Sequence, residues 1–388
     1  MITKMPIIAS AAGAADIIMA SAGDSRAARG EFIRGLQASS RSRSVFLTDS
    51  GITAFCVALK ALRRLSPRDE VILPAYTAGS LVVAVRSAGL TPVLCDISLD
   101  TFGYDLAQLA PRVSGRTLAV TAVHMFGVGI DVQAVRELCP GVFIIEDCAQ
   151  AMGSRIAGRF AGESGDISFF SFNRGKNLPL SSGGCIVTNR QDCAEAIAPE
   201  LAALEKGGSA PAAAARAFAF LAASRPFVYG AAFPLISRFK ETAPPQGLRP
   251  RLMDDFTARL GARLIRREED IFARRFVNGS CLRAGLRAAC GIRVARVSSG
   301  DRPAYNRFPV LFDDPAALAK AEKGLWDAGF ESSRMYLRPL HQMFDLGYRT
   351  AEFPKAVYLA ARMLTVPSHP ACGIRACEKM IAVIRRSL

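Results

Sequence analysis

IIEDCAQAMGSRIAGRFAGESGDISFFSFNRGKNLPLSSGGCIVTN, residues 144–189, carries apolar runs separated by polar, glycine-containing turns. VFIIE (142–146), ISFFSF (167–172) and CIVT (185–188) are short, rich in β-branched and aromatic residues, and bounded by turn formers, the pattern of strands buried on both faces. A carboxylate, Asp147, follows the first run directly, and a lone amine, Lys176, stands in the turn after the second.

Four more runs precede these: VFLT (45–48), VIL (71–73), PVLCD (92–96) and LAVTAV (118–123). Between them ITAFCVALKALRRL, SLVVAVRSAG and VQAVRELC place apolar residues at helical spacing. Strand and helix in alternation predict an α/β fold, with a mostly parallel seven-stranded sheet joined by crossover helices. A long helical pattern at 252–286 and a mixed α+β segment from 293, with a last helix at 376–387, predict a smaller C-terminal domain. The expected division is a large domain at 1–245, with an N-terminal arm at 1–40, and a connecting helix plus small domain at 246–388.

Half of the 388 residues are apolar and 21% are charged, so a large core is expected and extended disorder is not. Lys+Arg 49 against Asp+Glu 34 leaves +15, a field that attracts anionic ligands, nucleic acid or membrane surfaces. No basic run interleaved with aromatics and no nucleic-acid motif is present, so nucleic acid is not the expected partner. Ten cysteines without a CxxC pair, with Cys56, Cys95, Cys148 and Cys185 inside apolar runs, read as reduced core thiols of a cytoplasmic protein. Lys4, the apolar stretch after it and Ala20-Ser21-Ala22 imitate an export signal, but Asp16 interrupts the run, so an N-terminal helix or arm is expected. The apolar stretch 217–236 contains Arg225, Pro226 and Pro234 and falls short of a membrane span. It reads as two short helices, buried or interfacial, with peripheral membrane contact through the exposed-looking aromatics Phe227, Tyr229 and Phe233 as the alternative.

Asp147, at the carboxyl end of a parallel strand, would point into the ligand crevice of an open α/β sheet. A buried acid needs a cation; a protonated pyridine nitrogen is one, and it makes pyridoxal phosphate (PLP) an electron sink. Read alone, Asp147 serves equally as the cap of a following helix. A lone loop lysine is ordinarily a solvated charge. Lys176, however, follows Ser171 by five residues and precedes Gly183-Gly184, where backbone can approach a ligand closely.

This window resembles the DegT/DnrJ/StrS family of fold type I PLP enzymes, mostly aminotransferases acting on nucleotide-linked keto-sugars. Glu146-Asp147-Cys148-Ala149-Gln150 matches its EDxAQ, Gly165-Asp166-Ile167 its GDI, and Phe170-Ser171-Phe172 its FSF before the lysine. DEVILPAYT (69–77), TPVLCDISLDTF (91–102), AVHMFG (122–127), RPLHQMF (338–344) and FPKAVYLAARMLTVPSHP (353–370) extend the likeness over most of the chain.

The resemblance implies that Lys176 carries PLP as a Schiff base and shuttles the proton, that Asp147 pairs with the pyridine nitrogen, and that Gln150 contacts the ring hydroxyl side. It implies that Ser171 and the backbone amides of Ser50, Gly51, Ile52 and Thr53 hold the phosphate at a helix start, although Ser50-Gly51 alone is also an ordinary capping turn. It further implies an amino donor, typically glutamate, a nucleotide-sugar acceptor in polysaccharide or secondary-metabolite biosynthesis, and a homodimer. In GLRPRLMDDFTARLG (247–261), Arg249 replaces the family asparagine that reaches the neighbouring subunit's phosphate, and an arginine suits that anion.

Ile52 stands at the usual threonine position, Ser181-Ser182 replaces the first two residues of GEGG, and Ala78 replaces the aromatic that stacks on the cofactor. Phe126 and His124 are the candidates to replace that aromatic, while Tyr336, Arg338 and His341 read as structural residues of the rim. The alternatives are a degenerate member with a binding or regulatory role, and an acceptor that is lipid-linked or near a membrane.

Overall fold

The computed structural model describes residues 3–236 and 247–388. Seven strands build the main sheet: β1 (Ser44–Thr48), β2 (Glu70–Pro74), β3 (Thr91–Cys95), β4 (Thr117–Val123), β5 (Phe143–Asp147), β6 (Ile167–Ser171) and β7 (Gly184–Thr188). They lie in the order β1-β7-β6-β5-β4-β2-β3. All neighbours are parallel except β7, which runs against both β1 and β6. Val123 pairs with Asp147 and Asp147 with Phe169, so β4, β5 and β6 bring their carboxyl ends level. Every residue of β4 is buried, as expected of a strand with helices on both faces.

One face packs against helix Gly51–Leu65, itself covered by Ser80–Ser87 and Gln191–Ala202. The other holds Phe32, Phe170, Phe172 and Phe256 under helices Ser25–Ser40 and Asp255–Ile265. A three-stranded antiparallel sheet, β8 (Ile292–Arg293), β9 (Phe308–Phe312) and β10 (Met363–Val366), lies in the second half of the chain with helices Pro315–Asp327 and Gly373–Ser387.

The helical pattern at 252–286 divides into Asp255–Ile265 and Glu268–Leu286. Arg267, at φ −118° and ψ 13°, leaves helical geometry, and Glu268, Glu269 and Asp270 then favour a new helix start through the dipole. The N-terminal arm is helical at Ala14–Ala20 and Ser25–Ser40, and both helices pack on Asp255–Ile265. The boundary expected at 245/246 falls outside the described residues.

Stretch 217–236 spans parts of two helices, Ala210–Ala223 and Pro226–Ile236. Among the described residues no helix is long and apolar enough to cross a membrane. Of the three aromatics expected to face outward, only Phe227 does so, at 64% exposure. Tyr229 is 6% exposed and is bonded to Glu331, and Phe233 packs its ring 4.1 Å from Trp326.

Asp96, just after β3, is fully buried and accepts the backbone N–H groups of Ile97 (2.9 Å), Lys355 (3.0 Å) and Ala356 (2.9 Å). The last two belong to the first turn of helix Pro354–Arg362, whose amides lack intrahelical partners. One carboxylate therefore ties the second half of the chain to the main sheet. Asp96→Ala is expected to cost about 3 kcal/mol by leaving buried donors unsatisfied, read from the urea midpoint; an unchanged midpoint would show that water replaces the carboxylate.

Candidate active site

β5 ends in two adjacent acids, and strand alternation sends them to opposite faces. Glu146 accepts the N–H groups of Gly162 (3.1 Å), Ser164 (2.8 Å) and Gly165, and meets His124 Nε2 at 2.8 Å. Ile130 N–H donates to His124 Nδ1 (3.2 Å), so Nε2 carries the imidazole proton and donates to Glu146. Burial pushes the Glu146 carboxyl up, but His124 and these amides prevail and hold it below its ordinary value. His124, Glu146 and Cys148 bring potential metal-ligating atoms within 4.8 Å of one another. His124 and Glu146 are already bonded to protein groups, and burial keeps the Cys148 thiol protonated, so the cluster reads as structural.

Asp147 is also buried, yet among the described residues its side chain accepts a single hydrogen bond, from Ala149 N–H at 2.9 Å. Residues 148–153 form turns, so no helix follows for it to cap. Burial raises its pKa, while Ala149 N–H, Lys176 and His124 pull the other way. Lys176 is partly buried and far from an ordinary surface lysine. Burial, helped by Arg307, brings its amine down to about 8, and Asp147 is the anion that opposes this. The two groups picked out 29 positions apart in the sequence are thus near enough for each charge to pull on the other.

The Lys176 turn is held by distant side chains. Arg275, 3% exposed, donates to the carbonyls of Lys176 (3.2 Å), Tyr305 (3.3 Å) and Asn306 (3.2 Å). Asn306 Nδ2 donates to Gly175 O, and Asn177 Nδ2 donates to Met152 O (2.7 Å) and Ala304 O (2.6 Å). None of these clamps is visible in sequence, because each joins backbone that only the fold brings near.

Gln150 Oε1 accepts Phe126 N–H at 3.1 Å, which turns its amide nitrogen toward the Tyr336 hydroxyl, 3.4 Å away. The Tyr336 ring lies 5.6 Å from that of the buried Tyr76. Tyr336, read from sequence as rim structure, is therefore a neighbour of Gln150, and Tyr76 was not picked out at all. Phe126 packs edge-on against Phe102 at 6.0 Å, and His124 is bonded at both ring nitrogens.

Helix Gly51–Leu65 starts against the ends of β6 and β7. A Cβ added at Gly51 would lie 2.7 Å from Ser171 Cβ, and one at Gly184 would lie 2.5 Å from Gly51 N. Only glycines permit this approach, which brings Ser171 beside the first-turn amides of a helix, a ready anion cradle. Ser50 caps the helix, accepting Thr53 N–H at 3.2 Å and donating to Thr53 Oγ1 at 2.9 Å. The Thr53 side chain and N–H are thereby both engaged by Ser50, while Ile52 packs on the core and can offer an anion its backbone amide. Arg249 is exposed, and no recorded contact joins it to these residues.

The arrangement fits an aromatic aldehyde bearing a phosphate and a basic ring nitrogen: an anion cradle, a nucleophilic amine with depressed pKa, and a carboxylate short of a cation. A profile of the DegT/DnrJ/EryC1/StrS aminotransferase family matches residues 21–385. The chain is 37% identical over 142 residues to GDP-perosamine synthase of Escherichia coli O157:H7, covering 36% of this chain and 39% of that one. It is 26% identical over 347 residues to the spore coat polysaccharide biosynthesis protein SpsC of Bacillus subtilis (strain 168), covering 87% and 83%. Matches such as the first thus span about two-fifths of the curated relative's length. Among solved structures it resembles S. venezuelae DesV (TM-score 0.76, 25% identity, 96% and 94% covered). It also resembles a Streptococcus pneumoniae chain in its PLP form (TM-score 0.79, 19% identity, 99% and 100% covered), a likeness of fold.

Amine-selective acylation of Lys176, followed by peptide mass spectrometry across pH, is expected to rise with a midpoint near about 8. Asp147→Asn removes the anion that favours the ammonium and moves the midpoint down; Arg307→Met removes a repelling cation and moves it up. A midpoint above 10 in the parent protein would contradict the buried placement.

Proposed function

The chain belongs to the DegT/DnrJ/EryC1/StrS aminotransferase family, and from that membership we propose that it uses PLP to move an amino group from a donor such as glutamate to a nucleotide-linked keto-sugar. What carries this reading is Ser171 brought against the start of helix Gly51–Leu65 by Gly51 and Gly184, with the buried Asp147 and the Lys176 amine close enough for each charge to act on the other. The sugar part rests on relatives named as GDP-perosamine synthase and dTDP-3-amino-3,4,6-trideoxy-alpha-D-glucose transaminase. Polysaccharide or secondary-metabolite biosynthesis is the matching setting, as the name of the spore coat relative suggests. A net charge of +15 suits a diphosphate-bearing substrate.

When bound, PLP supplies an electron sink for the carbon whose amino group is exchanged. Everything else falls to the chain. Asp147, buried and holding one side-chain hydrogen bond from Ala149 among the described residues, would keep the ring nitrogen charged. Lys176 would hold the aldehyde through Nζ, and its lowered pKa lets that amine, when free, give and take a proton near neutral pH. Gln150, fixed by Phe126 N–H, presents its amide nitrogen to the ring oxygen. Ser171 and the amides of Ser50, Gly51 and Ile52 hold the phosphate.

In this reading the enzyme is a homodimer, and Arg249, exposed on its own chain, reaches the phosphate bound by a second copy. Residues 1–245 act as the PLP-binding domain and 246–388 as the small domain. The enzyme works in the cytoplasm, to which ten free thiols, all buried except Cys281 and Cys290, are suited.

Purified protein mixed with PLP should develop visible absorbance that Lys176→Ala lacks and that glutamate removes. Amino transfer by Lys176→Ala should fall about 100- to 10,000-fold; a variant that still transfers at the parent rate would end this assignment. Arg249→Ala should weaken PLP binding about 10-fold, the size of a lost charge-assisted hydrogen bond, with sedimentation still reporting a dimer. Unchanged PLP affinity would remove Arg249 from the site.

A further inference from the structure

Arg307 stands immediately before β9 and is partly buried. Its Nη2 lies against the residue before Lys176, 3.4 Å from where a Cβ on Gly175 would stand; its charge acts on Lys176, and those acting on it are Glu331, Tyr336 and Tyr229. Its Nε has no hydrogen-bond partner, and among the described residues none bonds or ion-pairs with its guanidinium. Arg275, the other buried arginine at this turn, spends its two Nη atoms on three carbonyls. A desolvated cation whose fork is unfilled is costly, and a second cation beside it adds to the cost. Burial accordingly draws protons away from Arg307. An anion arriving in front of it would relieve both charges.

Three anions belong to the reaction proposed above: the cofactor phosphate, the diphosphate of the sugar nucleotide, and the carboxylate of the amino donor. The phosphate has its own cradle at Gly51 and Ser171. The diphosphate is attached to the anomeric carbon, bonds away from the keto carbon that must reach Lys176. In an α-amino acid, by contrast, the carboxylate is one carbon from the amino group, so its anchor has to be a neighbour of the lysine. A planar guanidinium matches a carboxylate through two parallel N–H bonds.

We propose that Arg307 is the carboxylate anchor for the amino donor, taking the α-carboxylate of an amino acid beside Lys176 and thereby selecting amino acids over simple amines. This rests on the assignment of Lys176 made above. Tyr336, whose hydroxyl meets Gln150 at 3.4 Å, lies between the anchor and the ring-oxygen subsite and would pack against the donor's side chain.

The test uses PLP-loaded parent protein, Arg307→Met and Arg307→Lys, titrated by calorimetry with glutarate, a dicarboxylate that cannot react, and separately with inorganic phosphate and with UDP. Arg307→Met should bind glutarate about 10- to 100-fold more weakly and Arg307→Lys by less. The visible absorbance with PLP and the UDP affinity should stay unchanged. Arg307→Met removes a cation that attracts the buried Glu331, so Arg307→Lys, which keeps the charge, decides should that variant fail to fold. Undiminished glutarate binding in both variants, with the PLP absorbance intact, overturns the anchor alone. Loss of phosphate or UDP binding in place of glutarate overturns it too and gives Arg307 to the cofactor or the nucleotide. A parent protein without visible absorbance in PLP overturns the Lys176 assignment and this inference together.

Discussion

A primary amine enclosed with one carboxylate and one guanidinium is the constraint around which this chain is organised. Each of the three groups is poorly served by its own surroundings: Lys176 and Arg307 are both pushed toward their neutral forms, and Asp147 toward its acid. Such a set persists only if the backbone holds it by force of other contacts. The sheet supplies one half, through the pairing of Val123, Asp147 and Phe169 that levels three strand ends. The Arg275, Asn306 and Asn177 bonds to the lysine turn supply the other.

Two acids side by side on β5 illustrate how environment divides labour. Glu146 is saturated by His124 and three amides and stays ionised as a structural brace for residues 162–165. Asp147, with a single amide, keeps its capacity for a ligand. Nothing in the pair Glu-Asp itself tells them apart; the alternation of the strand and the returning loop do.

That division marks where sequence reading succeeds. The seven strand runs, each a few apolar residues between turn formers, emerge within one residue or so of their observed limits, because buried parallel strands leave a local imprint. Asp147 and Lys176 stood out beside such runs, whereas Gln150 and Ser171 were picked out through the resemblance of the motifs that contain them. Tyr76 and Arg307 did not, since an arginine before a strand and a tyrosine after one look ordinary until a distant lysine or Tyr336 is placed against them. The break at Arg267 was hidden by apolar spacing that continues across it, and Tyr229 looked exposed because its partner, Glu331, lies about a hundred residues on.

The reversed strand has its own meaning. β6 and β7 pair antiparallel from Ser168 with Val187 to Ser171 with Gly184, and Phe172 N–H continues the ladder to Gly183 O at 2.8 Å. The segment carrying the lysine is therefore a loop stapled shut at its stem, unlike a crossover that must span the sheet. The sheet thus fixes the two ends of the loop to each other, and the bonds from Arg275, Asn306 and Asn177 set where between them the amine stands.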